Sequence, residues 1–147
     1  MNLNIIVDVS GSMTENGKDS VVKYLLYAIG GFSKDSGLGM YKIYQWGKQL
    51  EEVTETHKIS FDSGKASNGL VDFLKRHIED KNIIISDGGF SRDLKRGIKG
   101  LPDKKYIYYL GVGSDCDIAA IRAVAMLDRI YSAQEVISCM RTIVNER

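Results

Sequence analysis

The sequence predicts an α/β protein: a three-layer α/β/α, Rossmann-like arrangement with helices on both faces of a mostly parallel six-stranded sheet, one short edge strand being antiparallel. Three observations predict it. Residues 3 to 7 are mostly β-branched or aliphatic, and Ile83 to Ile85 are wholly so, as strands buried on both faces require. Between the strand-like runs, apolar residues recur at spacings of three and four, the period of a helix. The two kinds of segment alternate along the chain, which implies parallel strands joined by helical crossovers.

The elements follow in order. Residues 3 to 7 form the first strand and run into the polar turn Asp8-Val9-Ser10-Gly11-Ser12-Met13. Thr14 or Asn16 caps the first helix, whose apolar stripe is Val22, Leu25, Leu26, Ile29 and Phe32. Gly30-Gly31 and Gly37-Leu38-Gly39 end it. Met40 to Trp46 is a strand, and Gly47-Lys48 a turn. Leu50 to Thr54 and Lys58 to Phe61 are short and polar, as an edge strand and its loop are. Asp62-Ser63-Gly64-Lys65 is a loop, and Ser67 or Asn68 caps a helix that buries Leu70, Val71, Leu74 and Ile78. Asn82 to Ser86 is a strand ending in Asp87-Gly88-Gly89, followed by a short basic helix over 91–97. Pro102 opens a turn into the strand Lys105 to Val112. Ser114 caps a helix carrying Ile118, Ile121, Ala125 and Met126, and Arg129 to Tyr131 is the last strand. Ser132-Ala133-Gln134-Glu135 is a capping box. It opens a final helix with Val136, Ile137, Met140 and Val144.

The 147 residues suit one domain over 1–147, with no repeat, low-complexity tract or linker. Twenty basic and 19 acidic residues leave a net charge of +1, which gives no drive toward nucleic acid or an anionic membrane. Arg92, Lys95, Arg96 and Lys99 fall at helical spacing and read as a solvated helix face. Cys116 and Cys139 lie far apart without a C-x-x-C partner, which fits a reduced, cytoplasmic protein with both thiols as packing residues. No basic segment followed by an apolar run opens the chain, and no apolar stretch approaches the ~18 residues of a membrane span.

The chemistry concentrates at strand ends. Asp8, Ser10 and Ser12 place one carboxylate and two hydroxyls on one tight turn, at the carboxyl end of a buried strand, where open α/β sheets bind ligands. All are hard oxygen donors, suited to Mg²⁺. Asp87 ends a second buried strand, and Ser67 precedes a helix. His57 and His77 have no partner at metal-ligand spacing, and His77, beside Lys75 and Arg76, is expected to face solvent. Trp46 and Tyr106, Tyr108 and Tyr109 read as core and sheet face. Asp115 and Asp117 read as residues that open a helix.

Along nearly its whole length the chain resembles the von Willebrand factor A domain. The resemblance rests on Asp8-x-Ser10-x-Ser12 with Gly11 and Met13, on Tyr41 to Gly47, on Ile83-Ile84-Ile85-Ser86-Asp87-Gly88, and on Tyr108-Tyr109-Leu110-Gly111-Val112-Gly113. The first motif is similar to that family's metal-ion-dependent adhesion site. The resemblance implies that Ser10, Ser12 and a second-loop hydroxyl contact the metal while Asp8 and Asp87 hold it mostly through water. In that second loop Lys65-Ala66-Ser67-Asn68 stands where Gly-Gly-Thr-x is usual, so Ser67 takes the threonine's place; Thr54 and Thr56 are earlier alternatives. The implied cofactor is Mg²⁺, with Mn²⁺ or Ca²⁺ as substitutes. The implied function is a cytoplasmic adaptor, monomeric alone, that binds an Asp or Glu carboxylate of another protein. That partner is expected to be a kinase, phosphatase or AAA+ ATPase, with Arg92 framing the contact.

Two other readings compete. Asp8 after a first strand also resembles the aspartyl nucleophile of haloacid-dehalogenase phosphatases, but those require a second acid where this chain has Ser10. Alternatively, the fold binds its partner without metal. No Gly-x-x-x-x-Gly-Lys-Ser/Thr loop and no Gly-x-Ser-x-Gly elbow is present, so the expectation is a binding module and not an enzyme.

Overall fold

The structure of the chain, a computed structural model, describes residues 2–61, 64 and 67–146, apart from the His57 side chain. The expected loop residues Asp62, Ser63, Lys65 and Ala66 lie outside the described residues. Six strands form one sheet: β1 (Leu3–Asp8), β2 (Tyr41–Trp46), β3 (Leu50–Val53), β4 (Lys81–Ser86), β5 (Ile107–Gly111) and β6 (Ile130–Ser132). Their order is β3-β2-β1-β4-β5-β6, with every pairing parallel except β2 with β3. The mostly parallel sheet with one antiparallel edge strand is the architecture the alternation predicts.

Strand side chains alternate between two cores. Ile5, Val7, Ile83, Ile85, Tyr108 and Leu110 face α1 (Lys18–Ser36) and α5 (Val136–Asn145). Ile6, Ile84 and Tyr109 face α2 (Ser67–Arg76), α3 (Arg92–Lys99) and α4 (Ile118–Arg122). Burial on both faces explains the unbroken apolar runs. The order reverses between β1 and β4: the chain first winds outward through β2 and β3, then returns to continue on β1's other side. Such a reversal opens a crevice at the carboxyl ends of the two strands, where Asp8 and Asp87 stand.

Several boundaries differ from expectation. Residues 11–17 form tight 3₁₀ turns broken at Glu15 and Asn16 (φ 52°), so α1 starts at Lys18 behind Gly17 (φ 74°) and neither Thr14 nor Asn16 caps it. Gly30-Gly31 does not end α1, which continues to Ser36 and stops at Gly37 (φ 65°). Gly30 serves proximity instead: a Cβ there would stand 2.8 Å from the Tyr41 hydroxyl. As expected, Leu50–Val53 is the edge strand and Lys58 to Phe61 adds no further strand. In α2 Phe73 replaces Ile78 on the buried face, because the helix ends at Arg76. Ser67 is the first residue of α2, one place inside the expected cap. Asp117, not Ser114, caps α4, accepting the Ala120 N–H at 3.0 Å. That helix ends at Arg122, which leaves Met126 exposed. The capping box of Ser132 and Glu135 is present. In α5 the buried stripe is Val136, Cys139, Met140 and Ile143, so Ile137 is exposed and Val144 half-buried.

Candidate metal centre

The turn after β1 is held from below. Met13 is fully buried in the α1 core, and its N–H donates to the Ser10 carbonyl at 3.0 Å. This folds Ser10 and Ser12 toward each other, with hydroxyls 3.2 Å apart. Asp8, fully buried, accepts the Ser10 N–H on Oδ1 at 2.9 Å and the Ser86 hydroxyl on Oδ2 at 2.6 Å. Ser86, the last residue of β4, also accepts the Gly88 N–H at 3.1 Å. One buried hydroxyl thus ties the two central strands across the switch point.

Asp87 accepts the Gly89 N–H at 3.2 Å. Burial alone would raise its carboxyl; hydrogen bonds from Ser12, Gly89 and Lys18, with the lysine's charge, outweigh burial and hold the group below the ordinary carboxylate range. Gly88 takes a left-handed φ of 83°, and a Cβ there would lie 2.6 Å from the Asp117 carbonyl. The Asp117 N–H donates to the Asp87 carbonyl at 2.8 Å, so the loop after β5 closes directly on the loop after β4.

Lys18, at the start of α1, is 1% exposed. Its ammonium donates to Asp87 at 3.2 Å, to Asp115 at 3.0 Å and to the Ser12 carbonyl at 3.4 Å. Burial pulls its pKa down, but the hydrogen bonds to Asp115 and Asp87 and their charges prevail, holding it above the usual lysine value. Lys18, Ser86 and Asp115 are the site residues that motif reading misses. Lys18 carried a signal: it sits one turn before Val22 on the stripe Val22, Leu25, Ile29, a charge in register with buried positions.

The hydroxyl of Ser67 pairs with that of Ser91 at 2.8 Å, beside the exposed Arg92 that opens α3. The structure brings Asp8, Ser10, Ser12 and Asp87 into one cluster, while the described partner of Ser67 is Ser91. Thr54 and Thr56 follow the edge strand β3, and Thr56 lines a groove with Lys23, Tyr27 and Tyr41. His77 does not face solvent freely: it stacks on Phe73 at 4.3 Å and pairs with Asp80 at 2.9 Å. Trp46, Tyr108 and Tyr109 are buried core residues.

Among the described residues no cluster of three or more His, Cys, Asp or Glu side chains could hold a metal. A divalent site here must rest on hydroxyls backed by two carboxylates. The hydroxyl geometry fits: adjacent oxygens of an octahedral Mg²⁺ with bonds of about 2.0–2.1 Å stand about 3 Å apart, close to the 3.2 Å between Ser10 and Ser12. Both oxygens of Asp8 already accept protein donors, which suits a carboxylate that orients water and not one that binds a cation directly.

No protein-family model and no curated protein matches the sequence. Solved structures do. An aerotolerance-related membrane protein from Bacteroides fragilis, carrying multiple mutations to serines, matches at a TM-score of 0.72 and 13% identity over 100% of both chains. A von Willebrand factor type A protein from Catenulispora acidiphila matches at 0.63 and 14%, over 97% of this chain and 42% of that one. Proximal thread matrix protein 1 from the mussel byssus, with a zinc-occupied metal-ion-dependent adhesion motif, matches at 0.62 and 11%, over 97% and 45%. This chain therefore spans all of the first and less than half of the other two. At such identities the likeness is one of fold. Strand order, helix placement and these matches together define a three-layer α/β/α domain of the von Willebrand factor A fold. No helix among the described residues is long and apolar enough to cross a membrane.

Proposed function

We propose that the chain is a metal-ion-dependent protein-binding module, with Ser10, Ser12 and Ser67 as ligands to Mg²⁺ and Asp8 and Asp87 in support. The observation that carries this reading is the Ser10–Ser12 hydroxyl pair set between two oriented, buried carboxylates at the switch point of the sheet. A bound divalent cation, Mg²⁺ or in its place Mn²⁺ or Ca²⁺, supplies an open coordination position for an outside anionic oxygen. The chain's own part is to present neutral hydroxyls and keep Asp8 engaged with Ser10 and Ser86, so that the cation stays incompletely neutralised. A carboxylate from another protein's Asp or Glu would be the anionic group such a site takes, with Arg92, next to Ser67 and Ser91, at the rim. The module acts as a cytoplasmic adaptor for a kinase, a phosphatase or an AAA+ ATPase, and the chemistry belongs to that partner.

The buried Lys18 ammonium favours a second reading, in which the loops are held by an internal cation and partner binding ignores metal. Affinity capture from native lysate with and without EDTA, beside Asp8→Ala, separates the two. Partners lost on chelation and in the variant support the metal-bridged module. Partners retained in both support the metal-independent one. Steady Mg²⁺-dependent turnover of a generic phosphatase substrate, abolished by Asp8→Asn, would overturn both in favour of an enzyme.

A further inference from the structure

Lys18 is unusual in that all its polar partners come from the metal loops. Its ammonium joins the loop after β1 (Ser12 carbonyl), the loop after β4 (Asp87) and the loop after β5 (Asp115). Three acceptors match the three donors of an ammonium. Space for it is reserved: Gly113 adopts φ 93°, and a Cβ there would stand 2.6 Å from Lys18 Cε and 2.8 Å from Asp115 Oδ1. Asp115 is half exposed and Asp87 is buried, so the buried lysine charge is shared between a solvated carboxylate and a candidate metal-site carboxylate.

We infer that Lys18 is a resident counter-cation that sets the strength of this metal site, holding one oxygen of Asp87 and thereby lowering affinity for a divalent cation until a partner carboxylate adds its charge. The inference rests on the metal-site reading above and concerns how that site is regulated. Two charges compete for Asp87: the internal ammonium and the divalent ion. Because the ammonium is withdrawn from water, screening of its repulsion toward a nearby cation is weak. Asp115 works against it, drawing the ammonium outward. Removing Lys18 should tighten metal binding, and removing the Asp115 charge should weaken it. A purely structural lysine predicts a different result, since its loss would loosen the loops and weaken binding.

The test is Mn²⁺ titration by calorimetry and electron paramagnetic resonance on wild type, Lys18→Met, Asp115→Asn and Lys34→Met, each checked for folding by circular dichroism. Lys34 lies 16 residues further along α1, about 24 Å away, and controls for net charge. The expected result is about tenfold tighter binding for Lys18→Met. Asp115→Asn should bind several-fold more weakly and Lys34→Met should match wild type. Weaker or unchanged binding in folded Lys18→Met, or unchanged or tighter binding in Asp115→Asn, overturns the inference while leaving the site intact. Asp115 is on the surface, so that arm stands even if Lys18→Met does not fold. Binding by Lys18→Met alone, with none in wild type, supports the inference and identifies Lys18 as the element that closes the site. Binding by none of the four proteins overturns this inference and the metal-site reading together.

Discussion

Replacing Ser86 with alanine isolates the contact on which Asp8 depends. The Ser86 hydroxyl donates to Asp8 Oδ2 at 2.6 Å and accepts the Gly88 N–H at 3.1 Å, with both residues buried. A hydrogen bond to a charged group contributes about 1.5–3 kcal/mol, and a buried N–H left without its acceptor costs roughly 1 kcal/mol more. Only one oxygen atom is removed, so the cavity term is small. The expected loss is about 3 kcal/mol, or roughly 10 °C in melting temperature for a chain of this size. Urea unfolding in EDTA measures it without a contribution from metal. A double-mutant cycle with Asp8→Asn should return a coupling of at least about 1 kcal/mol, since the two residues share one interaction. A loss under about 1 kcal/mol with strictly additive variants would refute the claim that Ser86 holds the Asp8 carboxylate in place.

Three further outcomes follow from the packing. At the opposite end of the sheet Glu146 joins Arg129 (2.7 Å), the Tyr108 hydroxyl (2.5 Å) and Lys81 (3.6 Å). Burial would raise the Glu146 carboxyl, but Tyr108, Arg129 and Lys81 hold it below the usual range. A depressed acid stabilises the fold above its unfolded value of about 4.3, and that stability is lost as pH falls through the folded value. Urea midpoints from about pH 6 down to 3 should therefore fall more steeply for wild type than for Glu146→Gln, which should already cost about 2 kcal/mol at neutral pH. Gly97→Ala would place a Cβ 2.6 Å from Val71 Cγ2; a cost of about 1–3 kcal/mol, relieved in Gly97→Ala/Val71→Ala, is expected from thermal melts of the single and double variants. The Tyr109 hydroxyl is buried and has no hydrogen-bond partner among the described residues, so Tyr109→Phe should be neutral or stabilising by about 1 kcal/mol in chemical denaturation.

The central strands were legible because burial on both faces leaves a direct mark: Ile5, Ile6, Val7 and Ile83, Ile84, Ile85 have no room for polar residues. The Asp8, Ser10, Ser12 turn was legible because its oxygen donors fall within five residues. Asp87 joins it in the sequence only through the end of a buried strand and the family resemblance; the physical reason, β4 paired beside β1, exists only in the fold. Gly30-Gly31 misled because glycine serves close approach as well as chain reversal, and only the Tyr41 hydroxyl reveals which role applies. Ser114 and Asp117 are equally good caps on paper; contact with the Asp87 loop selects Asp117. Ser86 and Asp115 carried no local signal, since their roles exist only once β1, β4 and β5 bring distant loops together. Lys18 carried a faint one, as a charge on an apolar stripe.

The measurement that bears most directly on the central claim is Mn²⁺ binding to the EDTA-stripped protein, titrated to millimolar concentration beside Ser12→Ala. One bound ion per chain, displaced by Mg²⁺, is expected, with loss of that binding in a Ser12→Ala protein that remains folded. No saturable binding to either wild type or Lys18→Met, or binding that Ser12→Ala leaves unchanged, would contradict the claim.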